Sequence, residues 1–463
     1  MPNHNIIIGG GPTATNAVET IRQFDNGDSQ ITLISDEPAH SRMALPYWIA
    51  GSIPRAHTLT GNDEYFQKFA TVTRIGERVA SIDPPNNQVT LSDGSKLDYD
   101  NLLIATGASP LDVGIPGSDL DGVQPLWTLA HTESLLNSAS GNEKPRVVLV
   151  GAGFIGFIVL NAMFKRGWQL SVVERESQVL PRMLDAGAAG FVQSWLASKN
   201  VAVHTGTSVN SIREGDDGAK VVELGNGSSI EADIVILATG IQPNLDMVAG
   251  SGIETGQGIL VNDQMQTNFS NIYAGGDVAQ GPVLLGDQSD MHPIQPTAVD
   301  HGRVAGANMA GHEVHYPGSL LMNVVDVCGL QTASFGAWND ADAEAMTIAN
   351  EPGFVYRKLL WQDDQIVGAI FAGRANDLGM LTDVGMVKGI LQTQTAMGEW
   401  KKFLAANPFD IRRAYVATGV AKKLVNTTLL GKPTRGRQFQ FGGAKPVVPE
   451  NPSHAVFVGT KEG

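Results

Sequence analysis

The sequence predicts an α/β fold built from two tandem units with an α+β region after them, and three observations carry that prediction. Apolar runs at Asn5–Ile8, Gln30–Ile34, Leu102–Ala105, Arg146–Val150, Leu170–Val173 and Ile234–Ala238 alternate with helical stretches. Continuous apolar strands separated by helices build parallel sheets covered on both faces. The pattern is also duplicated. I-G-G-G-P-T-A at 8–14 is followed by L-L-I-A-T-G at 102–107, and V-G-A-G-F-I-G at 150–156 is followed by V-I-L-A-T-G at 235–240. The interval is 97 residues from Gly9 to Thr106 and 88 from Gly151 to Thr239. Beyond Gly311 the pattern changes, and Tyr356–Ala372 reads as two strands around Asp363 and Asp364, a hairpin rather than another βαβ unit. Together these predict two Rossmann-like, dinucleotide-binding domains and a separate α+β domain.

Taken in order, the first strand enters a turn with Gly9, Gly11 and Ala14 in the three small-residue positions, and Asp36 and Glu37 close the next strand. Such a turn lets backbone N–H groups approach a pyrophosphate, helped by the positive end of the following helix. An acid closing the next strand accepts hydrogen bonds from an adenosine ribose. The second turn carries Gly151, Gly153 and Gly156, with Glu174 closing its strand. One G-x-G-x-x-G is weak evidence, whereas two in register with strands, helices and acids are strong. Glu174 repels a 2′-phosphate, so NAD is favoured over NADP although Arg175 stands beside it. Val147–Phe164 is eighteen residues without a charge, but its glycines at turn spacing read as strand-turn-helix rather than a membrane span. Beyond Gly431, K-P-T-R-G-R-Q-F-Q-F-G-G-A-K-P is rich in Pro and Gly without a period, which predicts an extended tail.

At 463 residues the chain has room for roughly three domains. Acidic side chains number 47 against 32 basic ones, a net charge of −15. That balance argues against nucleic acid or an anionic membrane as partner, since phosphate neutralisation needs a basic face. Cys328 is the one cysteine, so no internal disulfide can form. The chain enters its first strand at Asn5 without a cationic leader, and the expected compartment is the cytoplasm.

These motifs carry a resemblance. The first fingerprint, A-T-G at Ala105–Gly107 and N-I-Y-A-G-G-D-V at Asn271–Val278 resemble the FAD site of the two-dinucleotide flavoproteins, the pyridine nucleotide-dependent oxidoreductases. H-S-R-M-A-L-P-Y at 40–47, P-T-A at 296–298 and G-R-V-A-G-A-N-M-A-G at 302–311 look most like the branch of NADH oxidases, coenzyme A-disulfide reductases, rubredoxin and ferredoxin reductases and the flavin portion of nitrite reductases. The resemblance implies an FAD domain at 1–115 and 245–317, an NAD(P)H domain at 116–244 inserted in it, an interface domain forming a homodimer at 318–431, and the tail at 432–463. It implies FAD contacts at Gly9, Gly11, Pro12, Ala14, Asp36, Glu37, Ala105, Thr106 and Gly107. Arg42 and Val79 would flank the adenosine end, Pro46, Pro296, Thr297 and Ala298 the ring, and Asp277 the ribityl and pyrophosphate region. NADH contacts are implied at Gly151, Gly153, Phe154, Ile155, Gly156, Glu174, Ala238, Thr239 and Gly240. No metal site is expected.

The departures matter as much as the matches. The family's C-x-x-x-x-C pair is absent, and where the single-cysteine branch reads C-A-L-P-Y this chain reads Met43-Ala44-Leu45-Pro46-Tyr47. A thioether cannot form the sulfenic acid or mixed disulfide that a thiol relay uses. Met43 is read as packing beside the flavin or as a redox-neutral spacer, and Cys328 as a core residue on a buried strand. The family's G-x-G-x-I-G-x-E ends here in Ile158, which removes an acid from the nicotinamide end. His312-Glu313-Val314-His315 is one residue short of a zinc-protease helix and reads as a solvated turn, and His292 and His301 read as packing or surface residues. The expected function is electron transfer from NADH through FAD directly to a redox protein or small acceptor. An NADH oxidase, and a flavin-containing interaction subunit of a larger redox complex, are the alternatives.

Overall fold

A computed structural model describes residues 2–216, 218–286, 288–426 and 429–430 of the chain. The tail expected at 432–463 lies outside the described residues. Two five-stranded parallel sheets repeat one architecture. In the first, the strands run Thr71–Ile75, Gln30–Ser35, His4–Ile8, Asn101–Ile104, Ile272–Ala274 across the sheet; in the second they run Ala202–His204, Gln169–Val173, Arg146–Val150, Ile234–Leu237, Val123–Pro125. The glycine-turn strand is central in both, and each unit adds a three-stranded antiparallel sheet, at 79–98 and 209–232. The run at 147–164 resolves into the strand Arg146–Val150 and the helix Phe154–Lys165, and among the described residues no helix is long and apolar enough to cross a membrane.

The glycine turns have the same physical cause twice. Gly9 sits at φ +118° and Gly151 at φ +101°, in the region that side chains disfavour. A Cβ on Gly9 would stand 2.2 Å from the Ala105 carbonyl oxygen, and one on Gly151 would stand 2.3 Å from that of Ala238. Each A-T-G therefore ends a strand against its glycine turn. The helix Pro12–Asp25 then packs against the helix Gln295–Met309 at backbone contact, where Gly302 meets Thr13 and Gly306 meets Ala17. Ala14 lies in that core, fully buried.

The third region is a five-stranded antiparallel sheet, ordered Met322–Val327, Leu330–Gly336, Gln365–Arg374, Val355–Gln362, Glu344–Asn350, backed by the helix Leu378–Gln392 and three shorter helices. Its hairpin turns at Asp363 and Asp364. One apolar core runs from Phe191 and Trp195 of the second unit into Val325, Leu330, Tyr356 and Ile370 of this sheet. Asp185 reinforces the seam: it caps the helix Ala186–Ser198 and accepts hydrogen bonds from the Tyr356 hydroxyl at 2.8 Å and Lys358 Nζ at 2.9 Å.

Cys328 is a core residue, 2% exposed, but it is not on a strand. Val327 pairs with Leu330, leaving Cys328 and Gly329 as a two-residue turn with φ of 52° and 91°. This is the twisted hairpin turn that takes left-handed backbone at both positions and favours glycine at the second. The Trp195 indole donates to the Cys328 carbonyl at 3.0 Å. The segment at 312–315, expected as a solvated turn, is irregular backbone and only partly solvated: His315 is exposed and bonds Asp263 and Glu313, while Val314 is buried and the His312 ring stacks on Phe24 with centroids 4.1 Å apart.

Candidate active site

A cleft of about 790 Å³ opens where the two parallel sheets and the antiparallel sheet meet. Gly9, Gly11 and Pro12 line it from the first turn, Asp36 and Glu37 from the next strand end, and Ala105–Gly107 from the first A-T-G. Arg42, Met43 and Pro46 line it from the short helical turns at 42–49, Val79 from the small sheet, and Asp277, Pro296 and Ala298 from the chain's return to the first unit. Residues up to 289 positions apart in sequence thus share one wall. Two predicted FAD contacts do not line it, Ala14, buried behind the turn, and Thr297, 4% exposed; of the predicted NADH contacts only Phe154 and Ile155 line it, while Gly151, Gly153, Gly156, Glu174, Ala238, Thr239 and Gly240 do not.

Helix ends show what the cleft can hold. The helices Asp63–Lys68, Leu129–Ser138, Ala186–Ser198 and Leu378–Gln392 each have a side chain accepting from their first N–H groups. Among the helices of ten residues or more, Pro12–Asp25, Phe154–Lys165 and Gln295–Met309 have none, being entered from Gly11, Gly153 and Ile294. All three begin at this cleft. Uncapped N–H groups with the helix dipole behind them attract anions. A Cβ on Gly11 or Gly153 would meet nothing within 4 Å, so the approach to both turns is open. Two pyrophosphates and one electron-rich ring edge suit three such ends, and the residues present therefore fit FAD with a nicotinamide nucleotide beside it.

Arg42 and Asp277 both line the cleft and form an ion pair, 3.8 Å apart. Burial pushes the Asp277 carboxyl above its ordinary range and the Arg42 guanidinium below its own, and each charge partly offsets the other's displacement. Arg42 also lies over the Trp127 ring, 4.5 Å from its centroid, with the indole N–H held by the Ala108 carbonyl at 2.7 Å.

The second turn is assembled as tightly as the first, and Glu174 has work within it. This carboxylate is 8% exposed; one oxygen accepts from the Ala152 N–H at 2.7 Å and the other from the Glu176 N–H at 2.9 Å. A carboxylate offers about four acceptor sites, so two remain for ribose hydroxyls. Arg175 is 80% exposed and paired with Glu176. Ala238 abuts Gly151 and Gly156, and Thr239 and Gly240 are tied to Leu111 by hydrogen bonds of 3.0 and 2.9 Å. Phe154 and Ile155 reach the common cleft, as does Ile158.

The chain belongs to the pyridine nucleotide-disulphide oxidoreductase family. The family's pattern matches residues 3–302. Over 413 residues the chain is 29% identical to the NADH-dependent phenylglyoxylate dehydrogenase subunit epsilon of Aromatoleum evansii, covering 88% of this chain and 96% of that one. It is 34% identical over 320 residues to an NADH oxidase of Methanocaldococcus jannaschii, covering 67% and 71%. The crystal structure of putidaredoxin reductase in its covalent complex with putidaredoxin superposes with a TM-score of 0.81 over 90% of this chain and 99% of that chain, at 21% identity, a likeness of fold. By family the chain is thus a pyridine nucleotide-dependent oxidoreductase.

Several cleft residues escape the sequence reading. Asn244 donates to the Thr106 carbonyl at 2.8 Å and accepts from the Ser109 hydroxyl at 2.7 Å, joining the two connections between the units. The repeat A-T-G-x-x-P, at 105–110 and 238–243, is the signal for it, because the strands Ala108–Pro110 and Ile241–Pro243 pair with each other. Trp127, Ile49, Met322 and Val324 also line the cleft. His292 and His301 are packing residues outside it. His301 accepts from the Gly276 N–H through Nδ1 at 3.2 Å, and burial pushes its pKa down to about 3, so it stays neutral.

Proposed function

We propose that this oxidoreductase passes electrons from NADH through FAD to a redox protein with no thiol in the path. The observation that carries the reading is the placement of sulfur. Met43, 41% exposed, stands on the cleft wall at the position where the family's single-cysteine branch has its thiol, while Cys328 is sealed in a hairpin turn outside the cleft. When bound, FAD supplies the step from a two-electron hydride donor to one-electron acceptors. The chain's own residues orient and enclose. Gly11 and the first turn of the Pro12–Asp25 helix would present N–H groups and an open approach to the FAD pyrophosphate, Asp277 and Arg42 its neighbouring polar region, and the start of the Gln295–Met309 helix, lined by Pro296 and Ala298, its ring edge. Val79, Asp36 and Glu37 hold the adenosine. Gly151, Gly153 and Glu174 would hold NADH, with Phe154 and Ile158 lining the cleft where it would meet the flavin. A homodimer through the 318–431 region completes the reading, and the epsilon-subunit relative supports a place in a larger redox assembly. The oxidase relative makes oxygen the competing acceptor.

The test is alkylation. Burial, aided by the Asp326 charge, pushes the Cys328 thiol up to about 12, so the native protein should resist iodoacetamide at pH 8 and reduce ferredoxin or rubredoxin at an unchanged rate. Loss of acceptor reduction, with NADH still bleaching the flavin, would put Cys328 on the path and overturn the reading.

Cofactor preference gives a second expected outcome. A 2′-phosphate beside buried Glu174 meets like charge in a partly dry site, so kcat/KM should favour NADH over NADPH by about tenfold to a hundredfold. Equal values in steady-state assays would reject that role for Glu174.

A further inference from the structure

The part of the cleft walled by the second unit carries no charge. Phe154 and Ile158, one turn apart on the same helix face, line it with Val159; Pro46 and Ile49 line it from the Leu45–Ile49 helix, and Met322 and Val324 from the antiparallel sheet. The carboxylates of the cleft lie elsewhere. Asp36, Glu37 and Glu77 line the cleft from the first unit, Asp246 from a turn packed on the strand of Val79, and Asp277 sits beside Arg42. Among the described residues, none of the acids lining the cleft belongs to the elements that form this apolar wall.

A nicotinamide ring held here changes charge during turnover. The reduced ring is neutral and the oxidised ring is a cation. Moving a cation from water to an apolar wall costs free energy when no counter-charge receives it, whereas a neutral ring of the same shape loses little and gains contact. A carboxylate within about 4–6 Å would reverse the balance. Ile158 takes the place of the acid in the G-x-G-x-I-G-x-E pattern and lines the cleft beside Phe154.

We infer that Ile158 and its apolar neighbours make the nucleotide subsite selective for redox state, binding the neutral reduced ring more tightly than the oxidised cation. This inference rests on the NADH reading above. The oxidised nucleotide then leaves readily and product inhibition is slight.

Equilibrium binding to the FAD-loaded protein tests this without turnover. The ligands are NAD+ and 1,4,5,6-tetrahydro-NADH, whose ring is neutral and donates no hydride, and affinity is read by calorimetry. The tetrahydro compound should bind at least about tenfold more tightly than NAD+, one unit on the scale by which a charged contact is measured. Ile158→Glu should raise NAD+ affinity and bring the two within about threefold, whereas Ile158→Gln, polar but uncharged, should leave the wild-type ratio. Equal affinities in the wild-type protein overturn the inference and leave the NADH reading standing. Failure of both compounds to bind overturns the NADH reading and the inference with it. A Glu variant that binds FAD but does not gain NAD+ affinity removes Ile158 as the determinant.

Discussion

Replacing Asp277 with Ala should yield folded protein that purifies with less than about a tenth of its flavin. The residue follows the Gly275–Gly276 turn at the end of the strand Ile272–Ala274, so its side chain reaches the cleft rather than the core. Its removal takes away a charged contact to the ligand, a loss of about 1.5–3 kcal/mol or roughly tenfold to more than a hundredfold in affinity. It also leaves Arg42, which burial already disfavours, without its partner at 3.8 Å. Far-ultraviolet circular dichroism and size exclusion should be unchanged while the visible flavin bands disappear. A yellow, stoichiometric Asp277→Ala protein would remove Asp277 from the site.

A larger effect, on stability, is expected from Gly302→Val. A Cβ at this position would lie 2.2 Å from the Thr13 carbonyl oxygen and 2.9 Å from its carbon. Both are backbone atoms of a helix, so nothing flexible can yield, and the helices Pro12–Asp25 and Gln295–Met309 must separate. Separation opens the packing of Ala17, Val18, Val304 and Ala305 and moves two of the uncapped helix ends away from the cleft. Overpacking of a core costs about 1–3 kcal/mol when side chains can adjust, and this contact should exceed that range. A melting temperature lowered by more than about 6 °C, with flavin lost at lower temperature still, is the expected outcome. Gly385→Ala is the control, since a Cβ there meets nothing within 4 Å in an exposed helical position. It should stabilise by up to about 1 kcal/mol. An unchanged melting temperature for Gly302→Val would mean that the two helices do not touch at this point.

The two glycine turns, the strands they end and the acids behind them are legible in the sequence because each rests on a local rule. A left-handed backbone needs glycine, a buried parallel strand needs an unbroken apolar run, and a dinucleotide needs N–H groups beside an acid. Residues whose role depends on distant partners are not legible in this way. Trp127 matters because Arg42, 85 positions earlier, lies over its ring. Met322 and Val324 alternate along a strand of the third region and share its cleft-facing side, but nothing local says which face meets another domain. Glu174 reads from the sequence as a candidate ribose partner, and nothing local shows it as the acceptor that holds two backbone N–H groups of its own unit. Cys328 shows a local signal read past: V-V-D-V-C-G-L-Q-T-A has a two-residue X-Gly break between two apolar runs, the mark of a tight hairpin.

Anaerobic titration of the purified protein with NADH, followed through the visible flavin bands, tests the central claim most directly. About one equivalent of NADH should bleach the flavin, because NADH gives up two electrons as a hydride and one flavin accepts two. Subsequent addition of oxidised ferredoxin or rubredoxin should restore the oxidised spectrum in protein whose only thiol has been replaced by Cys328→Ser. Oxidised flavin that persists under excess NADH would contradict the account, and so would reduced flavin that cannot be reoxidised without that thiol.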